Sequence, residues 1–142
     1  MTTITLDQAQ TVISAALAKG RELGLKPLTV AVLDAGGHLT ALGREDGSST
    51  LRPQIAIGKA SGALGLGMSS RKIGENAVAR PTFFASLHSL APHGLVPAAG
   101  GVIVVGPDGE TIGAVGVTGD TSDNDEDCAL AGIAAAGLVA QG

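Results

Sequence analysis

A chain of 142 residues is long enough to bury one core, and at 44 % hydrophobic and 15 % charged it carries fewer charges than the roughly 25 % of an average globular chain. A net charge of −4 with no basic cluster, and only Phe83 and Phe84 as aromatics, exclude a phosphate backbone or stacked bases as the partner, so nucleic acid is ruled out. No apolar run approaches the ~20 residues of a membrane span, the N-terminus MTTITLDQAQ lacks leader character, and the lone Cys128 rules out an internal disulfide or a cysteine-based zinc site, so a cytoplasmic protein off the membrane is expected.

The first predicted element is a helix. Thr5 and Gln8 form a capping-box pair, and Leu6, Ala9, Val12, Ile13, Ala16, Leu17 and Gly20 make one apolar stripe. The segment Glu22-Leu23-Gly24 ends it, with Gly24 left-handed, and Pro27 bars continuation. Leu28 to Ala35 then reads as a strand, Gly36-Gly37 as a two-residue turn, and His38 to Arg44 as the returning strand. After the loop Asp46 to Ser49, Arg52-Pro53 opens a helix through Ile55, Ala56, Lys59, Ala60 and Ala63. The end of that helix is left open by the poor helix formers of GALGLG. Ser69 or Ser70 caps a short helix through Ala77, and Pro81 to Leu90 reads as another. Pro92-His93-Gly94 and Pro97 mark an irregular loop. A second hairpin has strands Gly101–Val105 and Glu110–Thr118 around the turn Gly106 to Gly109. The last helix starts after TGDTSDND and runs through Ala129, Ile133, Ala136 and Val139. The order helix, hairpin, helices, hairpin, helix predicts a single α/β (α+β) domain over residues 1–142, an antiparallel sheet flanked by helices. With 22 glycines and almost no aromatics, its core is built of small aliphatic side chains, and the scarcity of charge predicts self-association.

No Walker loop, HExxH or CxxCH motif is present. Three histidines, His38 after the glycine turn and His88 and His93 around Pro92, are candidate iron ligands through imidazole, set against the reading of solvated loop residues. Arg44, Lys59, Arg71 and Arg80 are the cations near strand ends or small-residue helices, suited to a carboxylate. Lys59 stands out among the small residues of IAIGKASGAL, where a long charged side chain needs a reason. The acidic run Asp120 to Asp127, including Asp123, Asp125 and Glu126, lacks calcium-loop spacing and reads first as helix capping. No metal-ion cluster is expected, and Cys128 reads as a buried, inert thiol.

Four segments in order, Leu33-Asp34-Ala35-Gly36-Gly37-His38-Leu39, Arg44-Glu45-Asp46-Gly47, Ile57-Gly58-Lys59-Ala60 and Gly113 to Gly119 (GAVGVTG), closely resemble the GlcG/HbpS family, with which the C-terminal domain of PduO-type adenosyltransferases belongs. The resemblance spans residues 5–140 and implies a profilin-like fold assembled as dimers that build rings or octamers. It also implies haem or a related tetrapyrrole as ligand, with haem degradation in some members. A branch of the family that processes ring-cleavage acids implies a second activity, hydrolytic dehalogenation or tautomerisation of a hydroxymuconate-type acid. The first helix holds no histidine and the chain no Tyr or Trp, which thins the haem reading and strengthens the small-acid one.

Two functional expectations follow, with a third, a ligand-free oligomeric scaffold, beside them. In the preferred one the protein binds haem, with His38, His88 or His93 as axial ligand and Lys59 or an arginine at the propionates; Asp34, Arg71, Arg80 and Asp125 join the ligand-binding set. In the other, a cofactor-independent enzyme acts on a small unsaturated hydroxy or oxo acid. Arg44 or Arg71 then clamps the carboxylate, Lys59 polarises an enolate or carbonyl, and Glu126, Asp125 or His88 moves protons.

Overall fold

In the computed structural model, which describes residues 2–142, the chain runs α1 (Leu6–Glu22), β1 (Thr29–Asp34), β2 (Leu39–Arg44), α2 (Arg52–Leu66), α3 (Ser70–Ala79), α4 (Pro81–Leu87), β3 (Gly101–Val105), β4 (Thr111–Thr118), α5 (Ser122–Ala135) and β5 (Val139–Ala140). The capping box of α1 is formed: Thr5 Oγ1 accepts from the Gln8 N–H, and the Gln8 side chain accepts from the Thr5 N–H. Gly24 closes that helix at φ 66°, the left-handed conformation predicted for it. Ser69 caps α3 by accepting from the Lys72 N–H.

The five strands lie in the order β2-β1-β4-β3-β5, each neighbour antiparallel. This is the predicted α+β architecture, with helices on both faces. On one face Val30, Val32, Val115 and Val117 pack with Val12 and Ala16 of α1 and Ala129 and Ile133 of α5. On the other, Leu33 and Ala114 meet Ala60 of α2. The period-2 alternation of β1 and β4 sends each set to its own side. Among the described residues no helix is long and apolar enough to cross a membrane.

Helix α2 lies on the sheet with almost no side chain between. A Cβ at Gly116 would run into the carbonyl oxygen of Ala56 and lie 3.2 Å from the Ala60 nitrogen; one at Gly101 would strike the Lys59 carbonyl. Its outer side is equally bare. A Cβ at Gly58 would lie 2.8 Å from Val96, and one at Gly62 3.2 Å from the Leu95 backbone. The loop before β3 therefore rests on the helix backbone.

Three sequence expectations are corrected, and one left open is resolved. The β1–β2 connection has three residues, not two. Gly37 N–H donates to Asp34 O and Asp34 N–H to His38 O, with Gly37 at φ +83°. That is a tight turn followed by a left-handed glycine, and its stagger accompanies a register shift between Val32 and Leu33. GALGLG is helical up to Leu66, with the left-handed Gly67 as its C-cap, because burial against sheet and loop outweighs its weak propensity. Helix α5 begins at Ser122, capped by Thr121, since a capping hydroxyl starts a helix earlier than its first apolar residue. It ends at Ala135, and Val139 belongs to the edge strand β5, paired with Val105.

The backbone contact at Gly116 predicts that Gly116→Ala destabilises the protein by about 2 kcal/mol through overpacking. Gly65→Ala, where nothing lies within 4 Å of the added methyl, should stabilise by about 0.5–1 kcal/mol. Thermal melts of the two variants against the parent check both signs.

Candidate functional site

The largest opening among the best-formed surface clefts, about 390 Å³, lies between the β1–β2 turn, α2 and the loop after α4. Gly36, Gly37 and His38 form one wall, Ser61, Leu64 and Gly65 of α2 the floor, and Pro92 and His93 the other wall. Across Ser61, Gly65 and Pro92 it adjoins a second lobe of about 250 Å³ lined by Leu66, Leu87, Leu90 and Leu95. The result is one groove with an imidazole-lined end and an apolar end. Sequence reasoning named His38 and His93 separately; the fold puts both on this groove. It missed the floor and the leucines, although the small-residue spacing Gly58, Ser61, Gly62, Gly65 was the signal for a helix that something approaches closely.

Each histidine is positioned by local chemistry. Asp34 Oδ1 accepts from the N–H groups of Gly36 at 3.0 Å and His38 at 2.9 Å, and lies 3.3 Å from His38 Nδ1. The His38 N–H, opposed by partial burial and helped by the Gly36 N–H and the imidazole, holds the Asp34 carboxyl below its usual range. A Cβ at Gly36 would lie 2.9 Å from the His38 ring, so glycine there lets the imidazole fold back over its own turn. With Nδ1 tied to Asp34, Nε2 is the nitrogen available to a ligand. His93 reaches the groove because Leu95 and Val96 seat their loop on the glycine side of α2.

The remaining predicted residues sit elsewhere. Lys59 is 3 % exposed; its Nζ donates to Val117 O at 3.0 Å and to Asp125 Oδ2 at 3.2 Å. Asp125 is 1 % exposed, and its Oδ1 accepts from the Asp120 N–H at 3.0 Å. Lys59 thus leaves α2, passes the end of β4 beside Gly100, and meets α5 from the other face of the sheet. Burial pulls the Lys59 ammonium down and pushes the Asp125 carboxyl up, each opposed by the other's charge. Arg71 Nε donates to Glu126 at 3.0 Å, and Arg71 Nη2 bonds Asp123; these bonds, Asp123 first, hold the guanidinium pKa above its ordinary value. Arg44 Nη2 donates to Ser48 O. Arg80 stacks 4.1 Å over the Phe83 ring. His88 ends α4, exposed and outside the lining of both lobes. Of the small-acid set, Lys59 meets Asp125 and Arg71 meets Glu126, whereas Arg44 and His88 stand apart on other elements. Cys128 is buried, and burial pushes its thiol up to about 11.

Asp120, the first of the acidic run, is held by its neighbours just before α5. Asp120 accepts from the Asn124 side chain, the Lys26 N–H and the Thr121 N–H, which bring its carboxyl down to about 2.

The sequence matches the family model described as haem-degrading protein HbpS-like over residues 4–134. No curated protein matches it. Among solved structures, Klebsiella pneumoniae protein ORFY is 27 % identical with a TM-score of 0.86, over 98 % of this chain and 94 % of that one. A double mutant of Streptomyces reticuli HbpS is 28 % identical with a TM-score of 0.81, over 94 % and 87 %. The haem complex of PduOC, at 23 % identity and a TM-score of 0.85 over 99 % of both chains, shares the fold.

The buried pair predicts that Lys59→Met, which strands the Asp125 carboxylate, costs about 3–5 kcal/mol. Lys59→Met with Asp125→Asn, which keeps an acceptor for the Asp120 N–H, should recover most of that loss in denaturant melts. For Asp120 the folded pKa lies below the unfolded one. Between about pH 4 and pH 2 the unfolded chain therefore binds more protons, and the stability Asp120 contributes is lost as pH falls through that window. Asp120→Asn should flatten the fall of Tm with acid over this range, and an unchanged slope would contradict the assignment.

Proposed function

The chain belongs to the HbpS-like family of haem-degrading proteins, and on that premise we propose that it binds haem or a related tetrapyrrole in the groove between the β1–β2 turn and the loop carrying His93. The observation that carries the reading is the convergence of His38 and His93 on one cleft adjoining an apolar lobe. The donor set fits the group: imidazole is a common axial ligand of haem iron, and the leucines and Pro92 suit the faces of a macrocycle without aromatic side chains.

Within that reading His38 and His93 are the residues that would hold the iron, and Asp34 is the positioning residue. Its carboxylate accepts the His38 Nδ1–H, fixes the tautomer, and leaves Nε2 directed away from the turn. Leu66, Leu87 and Leu95 line the apolar end, with the exposed Leu90 at its rim. Bound haem would supply a redox-active iron; the chain supplies ligation, orientation and an apolar wall. Lys59, Asp125, Arg71 and Glu126 act at a distance, by holding α2 and α3 to α5. The side chains of Val78, Leu51 and Leu90, all strongly exposed, support self-association, and we place the protein in the cytoplasm.

Titration of the protein with haemin should shift the Soret band away from that of free haemin. His38→Ala with His93→Ala removes exposed side chains at little cost in stability and should abolish the shift. Asp34→Asn should weaken binding about tenfold. A Soret band that stays at the free-haemin position, or one that shifts equally with the double variant, overturns the proposal.

A further inference from the structure

The groove offers a ligand imidazoles, the Ser61 hydroxyl and apolar walls, and no lysine or arginine for an anion. Of the nine Lys and Arg residues, none lines either lobe. Those nearest in the sequence reading are engaged elsewhere: Lys59 with Asp125, Arg44 with Ser48, Arg71 with Asp123 and Glu126, and Arg80 over Phe83. Backbone donors at the turn are also taken. The Ala35 N–H donates to Thr3, the Gly36 and His38 N–H groups to the Asp34 side chain, and the Gly37 N–H to Asp34 O.

We infer that this site recognises its ligand through the metal centre and the macrocycle, and leaves the ligand's carboxylates in solvent at the mouth of the groove. The inference rests on the haem reading above and narrows it. A carboxylate buried here would find no lysine or arginine to balance its charge, an arrangement that is strongly unfavourable. The ligand's acidic edge would therefore stay at the solvent side of the groove. The carboxylates then contribute little to affinity, and tetrapyrroles whose carboxylates are blocked are accepted as well as those whose carboxylates are free.

The test is a Soret and protein-fluorescence-independent absorbance titration of the intact protein with three probes: haemin, haemin dimethyl ester and iron-free protoporphyrin IX. Haemin and its dimethyl ester should bind within about threefold of each other. Loss of even one charge-assisted bond to a carboxylate would weaken binding about tenfold or more. Protoporphyrin IX, lacking the metal for His38 and His93, should bind at least about tenfold more weakly than haemin. Tight haemin binding with a tenfold or larger penalty for the ester overturns this inference and leaves the haem reading standing. Protoporphyrin IX binding as tightly as haemin also overturns it, by removing the metal from recognition. Failure of all three probes to bind overturns the haem reading and this inference together.

Discussion

Everything in this fold follows from a missing layer of Cβ atoms along α2. On the sheet side the bare backbone of Gly116 and Gly101 lets the helix settle against the strands; on the outer side Gly58 and Gly62 let a loop settle on the helix. A helix held this closely on two sides is buried over Ala56 and Gly58 to Ala63. Two consequences follow. The Lys59 ammonium reaches Val117 and Asp125, tying the helices on the two faces of the sheet together. And the loop drawn down by Gly58 and Gly62 brings His93 to the same opening as His38. Side chains of ordinary size on α2 would lift the loop and separate the imidazoles.

Such packing also explains how the chain manages with two aromatic rings. A core of Val, Ile, Leu and Ala has little area per residue to bury, so close approach of backbones replaces bulk, and dispersion is gained over many short contacts. The one costly element in that core is the ion pair. Two charges at 3 % and 1 % exposure require good hydrogen bonding to be tolerated, and both have it, from Val117 O and the Asp120 N–H. The pair adds little net stability; it forbids other seatings of α2 and α5 that would leave either charge alone.

Much of the architecture was legible because its signals are local. The capping box at Thr5, the left-handed Gly24, the Ser69 cap and the two hairpins each depend on a few neighbouring residues, and each stands where the pattern put it. The errors arose where distant packing overruled local preference. GALGLG is helical because sheet and loop bury it, and Val139 pairs with Val105 although the apolar spacing carries the helical pattern on to it. For the site, the oddity of Lys59 among small residues was visible, but its partner lies 66 positions away and no spacing rule connects them. His38 and His93 could be nominated as imidazoles. Their convergence depends on Gly58 and Gly62, whose role is fixed only by what rests on them.

The strand order carries a kinetic consequence. Each hairpin, β1–β2 and β3–β4, closes a short loop, whereas the pairing of β1 with β4 joins Thr29 to Thr118 across most of the chain and bears the large loop-closure cost. Helix α2 touches Leu33 and Ala114 from both hairpins at once, so it has no complete seat until that central pairing forms. The groove, floored by α2, is thus among the last features to be assembled, and a chain whose two halves have folded but not joined has both histidines and no site.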